Sequence, residues 1–243
     1  MTILEGSGVS RNFGGLMAVR DASFHVNEGE IVGLIGPNGA GKTTLFNLIS
    51  GAIPARSGSI KFKGEEIIGK KPHEICRMGI ARTFQNTRLF SELPGFINVR
   101  LASQFGNPRK ITNKAHEKEL NQLMAFCGVL SERWTLTKDL SVAEQKRMEI
   151  ARALATKPDL LLLDEVMSGL TPTELEQAMK LIGRIRDRGV TIFMIEHVMQ
   201  AVMSICDRII VFHQGTNLVV GTPAEVASSP AVIEIYLGEQ VDA

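Results

Sequence analysis

Cysteine and the larger aromatics are scarce in this sequence: three Cys, one Trp and one Tyr in 243 residues. Cys76, Cys127 and Cys206 lie far apart and form no CxxC pair. That leaves no disulfide framework and no thiolate metal motif to read. The three read as small buried apolar residues or free thiols, suited to a reducing cytosol. Charge of one sign is lacking too. Lys plus Arg is 27, Asp plus Glu is 26, and the net charge is +1. Such a balance gives no bulk field to hold nucleic acid or an acidic membrane. Long apolar runs are absent. The longest stretch without Asp, Glu, Lys or Arg, Ile209 to Ala224, falls short of the ~18 apolar residues of a spanning helix. It is also broken by His213, Gln214, Gly215, Asn217, Gly221 and Pro223. The opening MTILEGSG has no basic and no apolar region of the secretory kind. No internal repeat or low-complexity tract is visible.

What is present is an ordinary globular mixture, 44% hydrophobic and 22% charged. It can bury a core and excludes disorder as the main state. A mass of 26.5 kDa fits one large domain, or a domain with a subdomain, at ~100–200 residues per domain. Gly and β-branched residues alternate with helical patterns, which points to α/β architecture. Strands are expected at Ile3 to Val9, Met17 to Val26, Glu30 to Ile35 and Ser59 to Phe62. A helix should run from Gly41 to Ser50, closed by Gly51. Residues 86–139 lack strand alternation and read as a helical insert. Within it Lys114 to Phe126 sets Leu120, Leu123 and Met124 on one face.

The second half returns to α/β order. Leu160 to Leu163 is short enough for a buried parallel strand. A helix at Thr173 to Asp187, a strand at Val190 to Ile195, a helix at Val198 to Cys206 and a strand at Arg208 to Phe212 follow. Thr222, Pro223 and Glu225 make a capping box with Pro at the first helical position, so a last short helix starts there.

Two segments carry chemistry. Gly36-Pro37-Asn38-Gly39-Ala40-Gly41-Lys42-Thr43 fits GxxxxGK[ST], with Thr44 next. Glycines permit a tight loop whose N–H groups point at phosphate oxygens, and the helix N-terminus adds its dipole. Lys42 can reach the outer phosphates, and the Thr43 hydroxyl can ligate Mg²⁺. A chance match is the bland alternative. The setting between an apolar strand and a helix argues against it. A GxGxxG dinucleotide site fits poorly, because the glycines stand at 36, 39 and 41. Thr156-Lys157-Pro158-Asp159 is a near miss to a guanine-reading NKxD, but it precedes the leucine strand and reads as a turn.

Leu160-Leu161-Leu162-Leu163-Asp164-Glu165 is the second segment. A buried strand delivers two acids to its C-terminal edge, where α/β sheets bind ligands. Asp164 would hold the Mg²⁺ shell, and Glu165 would orient or deprotonate an attacking water. His197 follows the strand Val190 to Ile195. From spacing alone it is either a structural hydrogen-bonding residue or a sensor of the γ-phosphate.

Taken together, these motifs resemble the ATP-binding subunit of an ABC transporter, over almost the whole chain and in the family's order. The resemblance implies a P-loop NTPase fold: a RecA-like α/β core with an antiparallel β part (1–85 and 141–243) and a helical ABC subdomain (86–140). It implies that Phe13 stacks on adenine and that Gly36 to Thr43 is the Walker A loop. Gln85, in Ala81-Arg82-Thr83-Phe84-Gln85-Asn86, matches the Q-loop glutamine that contacts Mg²⁺ and the attacking water and couples to membrane subunits. Leu140-Ser141, with Gln145-Lys146-Arg147 and Ile150 to Leu154, resembles the signature region. Leu160 to Glu165 matches Walker B and His197 the switch histidine. ATP and Mg²⁺ are the implied cofactors, with Thr43, Gln85 and Asp164 toward the metal.

A closer likeness is to the ATPases of branched-chain amino acid importers. It rests on Asn12-Phe13-Gly14-Gly15-Leu16, Glu196-His197 and the ending Gly221-Thr222-Pro223 to Tyr236-Leu237-Gly238. It implies membrane permease subunits, a second ATPase subunit, an indirect solute-binding partner and a peripheral place on the cytoplasmic face of the membrane. It implies no nucleic-acid partner. Relatives for urea, aromatic acids or other amides share much of this pattern. A soluble non-transport ABC ATPase and a degenerate ATP-binding regulatory subunit are the alternatives. The single nucleotide domain and the lack of a coiled coil or basic patch argue against the first.

Two departures matter. The family's LSGGQ is here Leu140-Ser141-Val142-Ala143-Glu144. Ser141 keeps the hydroxyl that would serve a partner's ATP, and Ser141 with Glu144 makes a capping box. Ala143 adds a Cβ where Gly permits close approach. Glu144 adds a charge, and two like charges ~4 Å apart cost about 4 kcal/mol at an effective dielectric of ~20. A weakened signature face is expected, and with it a heterodimer rather than a homodimer. Thr171 stands where the D-loop usually has Asp, but with Glu174 it still forms a capping box.

Overall fold

The chain opens on a hairpin. Strands β1 (Thr2–Phe13) and β2 (Leu16–Asn27) pair antiparallel about a turn at Gly14 and Gly15. Both run further than alternation alone predicts; β1 continues through the half-buried polar Ser10, Arg11 and Asn12, which carry no apolar signal, to the exposed Phe13. The protein is represented by a computed structural model that describes residues 1–106 and 114–238. After the hairpin come β3 (Ile31–Ile35), α1 (Lys42–Ile49), β4 (Ser57–Phe62), β5 (Glu65–Glu66), α2 (Pro72–Met78) and β6 (Ile80–Arg82). Helices α3 (Gly95–Gly106) and α4 (Lys114–Phe126), a 3₁₀ turn at Thr137–Asp139 and α5 (Val142–Leu154) form the helical stretch. The chain then alternates through β7 (Leu160–Asp164), α6 (Pro172–Arg186), β8 (Thr191–Ile195), α7 (Met199–Ile205), β9 (Arg208–His213) and β10 (Thr216–Gly221). Two helices close it, α8 (Pro223–Ala227) and α9 (Pro230–Gly238).

The strands make two sheets. One is antiparallel, in the order β2-β1-β4-β5. The other has the order β10-β9-β3-β8-β7-β6, parallel from β9 to β6 with β10 antiparallel at its edge. Every residue of β3, β7 and β8 is buried. Period-two alternation therefore sorts apolar side chains between two cores rather than between core and water. Val32, Leu34, Leu160, Leu162 and Phe193 face α1 and the antiparallel sheet. Ile35, Leu161, Leu163, Ile192 and Met194 face the layer that holds α5 to α7. The four-leucine run splits two and two.

The helical stretch packs on the second core. Helix α4 spans the predicted residues, with Leu120 and Met124 buried. Trp134 is 56% exposed and rests on Phe96 at 5.1 Å between ring centroids. The capping boxes at Ser141, Thr171 and Thr222 all form and start α5, α6 and α8. The sequence reading leaves β5, α2, β6, β10 and α9 unassigned. The first three are too short to show a period, and β10 is a half-exposed edge strand. Cys127 and Cys206 are buried and Cys76 is half-buried, all three as free thiols. Among the described residues no helix is long and apolar enough to cross a membrane.

Phe193 joins the layers. Its ring lies 6.1 Å from that of Phe24 on β2 and 5.1 Å from that of Phe46 on α1. Phe193→Ala is expected to lower unfolding free energy by about 3–5 kcal/mol, read as a lower midpoint in urea with an unchanged slope.

Candidate functional site

Strand β3 ends at Ile35, and the loop of Gly36 to Gly41 turns the chain into α1. Gly36 and Gly41 hold φ of 147° and 99°, where side chains are disfavoured. Space requires glycine as well. A Cβ on Gly36 would collide with the Phe212 carbonyl oxygen of β9, and one on Gly41 with the Ala18 carbonyl oxygen of β2. Helix α1 starts with no side-chain cap and no acidic residue in its first turn. Its N–H groups and dipole are thus free to meet an anion. Lys42 is 9% exposed, and its Nζ donates to the carbonyls of Gly36 at 2.5 Å and Pro37 at 2.8 Å. The loop folds back on its own lysine and keeps the positive charge at its centre.

This loop is one wall of a cavity of about 730 Å³, a size suited to a nucleotide. Phe13 and Asn38 to Thr44 line it, and Gln85 and Glu165 line it as well. The hairpin carries Phe13 to the mouth, 47% exposed, with the Arg11 guanidinium 5.1 Å from its ring. Arg20 and Gln214 also line the cavity. No local sequence pattern marks either one.

Glu165 follows β7 with φ of 51°, in the left-handed region, a strain of about 1–2 kcal/mol for a residue with a Cβ. Its N–H donates to the Ile195 carbonyl at 2.9 Å, and its carbonyl accepts from Lys146 Nζ at 3.0 Å. Anchored at both ends, the backbone turns the carboxylate toward Gln85, whose Nε2 donates to Glu165 Oε2 at 2.8 Å. His197 Nδ1 stands 3.7 Å from the same oxygen, too far for a hydrogen bond but in ion-pair range when the ring is protonated. Three residues far apart in sequence, Gln85, Glu165 and His197, therefore meet around one carboxylate.

Asp164 lies behind them, 2% exposed at the end of β7. Its N–H donates to Thr83 Oγ1 at 3.1 Å, and its Oδ2 accepts from Arg82 Nη2 at 2.8 Å. Its Oδ1 is buried and has no partner among the described residues. A buried carboxylate oxygen without a donor fits a divalent cation or a cation-bound water. No group of three or more His, Cys, Asp or Glu gathers as a metal site among the described residues. This donor set suits Mg²⁺, which takes one or two protein oxygens and fills the rest with water and phosphate.

The sequence motifs assign no role to the groups beneath these acids. Arg82 is one. Glu196 is another, 1% exposed, with Oε1 accepting the Met167 N–H at 2.7 Å. Burial pushes its carboxyl up to about 7. Lys146 supports the same region from α5, donating to the Ser168 carbonyl at 2.7 Å as well as to that of Glu165.

Ser141 does not line this cavity. It caps α5. Its Oγ donates to Glu144 Oε2 at 2.7 Å, its N–H donates to the same oxygen at 2.8 Å, and its Oγ accepts the Glu144 N–H at 3.3 Å. The bonds from Ser141 hold the Glu144 carboxyl below the usual carboxylate range. The expectation that Ala143 obstructs this face needs correction. Its side chain is 5% exposed and turned inward, so Val142, 57% exposed, and the charged Glu144 shape the surface instead.

Comparison with known proteins bears on the family of the chain. The family profile described as ABC transporter matches residues 19–168. A profile described as branched-chain amino acid ATP-binding cassette transporter matches residues 217–242. BraF of Pseudomonas aeruginosa, a high-affinity branched-chain amino acid transport ATP-binding protein, is 40% identical over 98% of each chain. LivG of Escherichia coli (strain K12), which bears the same description, is 38% identical over 98% of each. A solved ATP-binding cassette of an ABC transporter, in its ADP conformation, has a TM-score of 0.87 and 29% identity. It matches over 98% of this chain and 99% of that one. With likeness running the length of the chain and the phosphate loop and paired acids in place, the chain belongs to the ABC transporter family as one of its ATP-binding cassettes.

Proposed function

We propose that this chain binds ATP in the cavity between the glycine loop and Glu165 and hydrolyses it to power an importer of branched-chain or related amino acids. The observation that carries the proposal is the Gln85–Glu165 hydrogen bond of 2.8 Å in the cavity that the phosphate loop also lines. It sets a base and a water-orienting amide in the cavity where phosphates would lie. The cargo class rests on the relatives' printed descriptions.

Phe13 receives the adenine face. The loop amides of Gly36 to Thr44, the α1 dipole and Lys42 hold the phosphates. Thr43, Gln85 and Asp164 are the residues that would hold Mg²⁺. When bound, Mg²⁺ supplies charge to the β- and γ-phosphate oxygens. Glu165 accepts the proton of the attacking water while Gln85 keeps its carboxylate oriented. His197 completes the ring of polar groups around that carboxylate.

The work passes to separate membrane subunits. A groove of about 350 Å³ beside the Gln85 loop supports docking there, lined by Ile75, Cys76, Phe84, Arg88 and Arg152. The chain sits peripherally on the cytoplasmic face of the membrane. A second ATPase subunit supplies an intact signature to this chain's ATP. A heterodimer is favoured because here Ser141 already spends its hydroxyl on a charged Glu144.

Glu165→Gln should slow phosphate release by about 10²-fold or more, since general-base removal costs ~10²–10⁴. Filter binding of ATP should stay near the wild-type value, and a rate within twofold of wild type would remove Glu165 from this role. The purified chain alone should show slow, non-cooperative hydrolysis. Fast turnover with sigmoidal dependence on protein or ATP concentration would establish the homodimer instead.

A further inference from the structure

We propose that Arg82 is a positioning residue for the metal-side carboxylate of Asp164, holding one oxygen so that the other stays open. The proposal rests on the reading of Asp164 as a metal-side ligand. Arg82 is the last residue of β6, the edge strand paired with β7. Its guanidinium splits between two elements. Nη2 donates to Asp164 Oδ2 at 2.8 Å, and Nη1 donates to Asn47 Oδ1 at 2.7 Å and Ser50 Oγ at 2.9 Å at the end of α1. The planar group also lies 5.7 Å from the Phe46 ring and 5.1 Å from that of Phe84. Side-chain exposure is 6% for Arg82 and 2% for Asp164.

Stability alone does not account for this pair. A buried ion pair often does no better than well-packed apolar residues, because desolvation offsets its attraction. Its geometry is informative. Arginine and carboxylate commonly pair through two parallel bonds that satisfy both oxygens. Here one bond is made, the second nitrogen is held by α1, and Asp164 Oδ1 is left buried without a donor. The fork thus fixes the carboxylate rotamer and reserves an oxygen. It also balances the buried negative charge while no cation is present. Because Asn47 belongs to the helix that starts at Lys42 and Ser50 caps its end, the same bonds tie the position of Asp164 to the phosphate loop.

The test uses the full chain and Mn²⁺ as a probe, titrated by electron paramagnetic resonance with a non-hydrolysable ATP analogue present. Arg82→Met is expected to weaken Mn²⁺ binding by about 10-fold or more, the usual scale for residues that orient a ligand. Affinity for the analogue in EDTA should stay within about twofold of wild type. Arg82→Lys should bind Mn²⁺ better than Arg82→Met, because an ammonium can pair with Asp164 though it cannot also grip α1. Asn47→Ala/Ser50→Ala keeps the ion pair and loosens its anchor, so a smaller loss in the same direction is expected. That variant carries the test if Arg82→Met does not fold. Unchanged or tighter Mn²⁺ binding in folded Arg82→Met, or an equal loss of affinity in EDTA, would overturn the proposal. Asp164→Asn separates the two readings: unchanged Mn²⁺ binding there refutes Asp164 as a ligand, whatever Arg82 does.

Discussion

A parallel sheet buried on both faces leaves one kind of place for charge, the ends of its strands. Strands β3, β7 and β8 have no solvent face, so no polar side chain can stand along them without losing its water. The chain becomes polar where each strand ends: Gly36 after β3, Asp164 and Glu165 at β7, Glu196 and His197 after β8, Thr83 and Gln85 after β6. Parallel direction brings these ends to one edge. The phosphate loop and the acids share a site because the strands that carry them point the same way.

Having gathered charges in one place, the fold must balance them. Lys42 is held by loop carbonyls, Arg82 neutralises Asp164, and Lys146 stands beneath Glu165. Helix α5 serves both the loop after β7 and the loop after β6. Lys146 holds the carbonyls after β7, and Glu149, 1% exposed, accepts the Arg88 N–H at 3.3 Å. One rigid element therefore spans from Ser141, outside the lining of this cavity, to the two loops that bear Gln85 and Glu165. A displacement of α5 moves both.

Legibility in the sequence followed the range of the interaction. The phosphate loop and the three capping boxes are local, each written within a few consecutive residues, and they could be read directly. The four leucines announced a buried strand, but not that alternate side chains enter different cores, since that depends on layers supplied by other elements. Phe13, Gln85 and His197 were read through resemblance, and the cavity and the Glu165 carboxylate bring them into relation. Arg82 and Glu196 stand in motifs that carry the resemblance, but their roles were invisible. Arg82 sits on a three-residue strand with no period, and its partners Asn47 and Asp164 are 35 and 82 positions away. The inward turn of Ala143 is likewise a matter of helix phase against the interior, which a motif comparison does not encode.

The exposed indole of Trp134 has a consequence of another sort. It is the chain's one tryptophan, and it rests on Phe96 in the helical layer rather than near the cavity or the sheets. Intrinsic fluorescence excited at the red edge therefore carries a signal from a single layer, free of any background from the nucleotide-binding core. The protein comes with its own optical label on the helical layer, and no engineered probe is required to follow that layer.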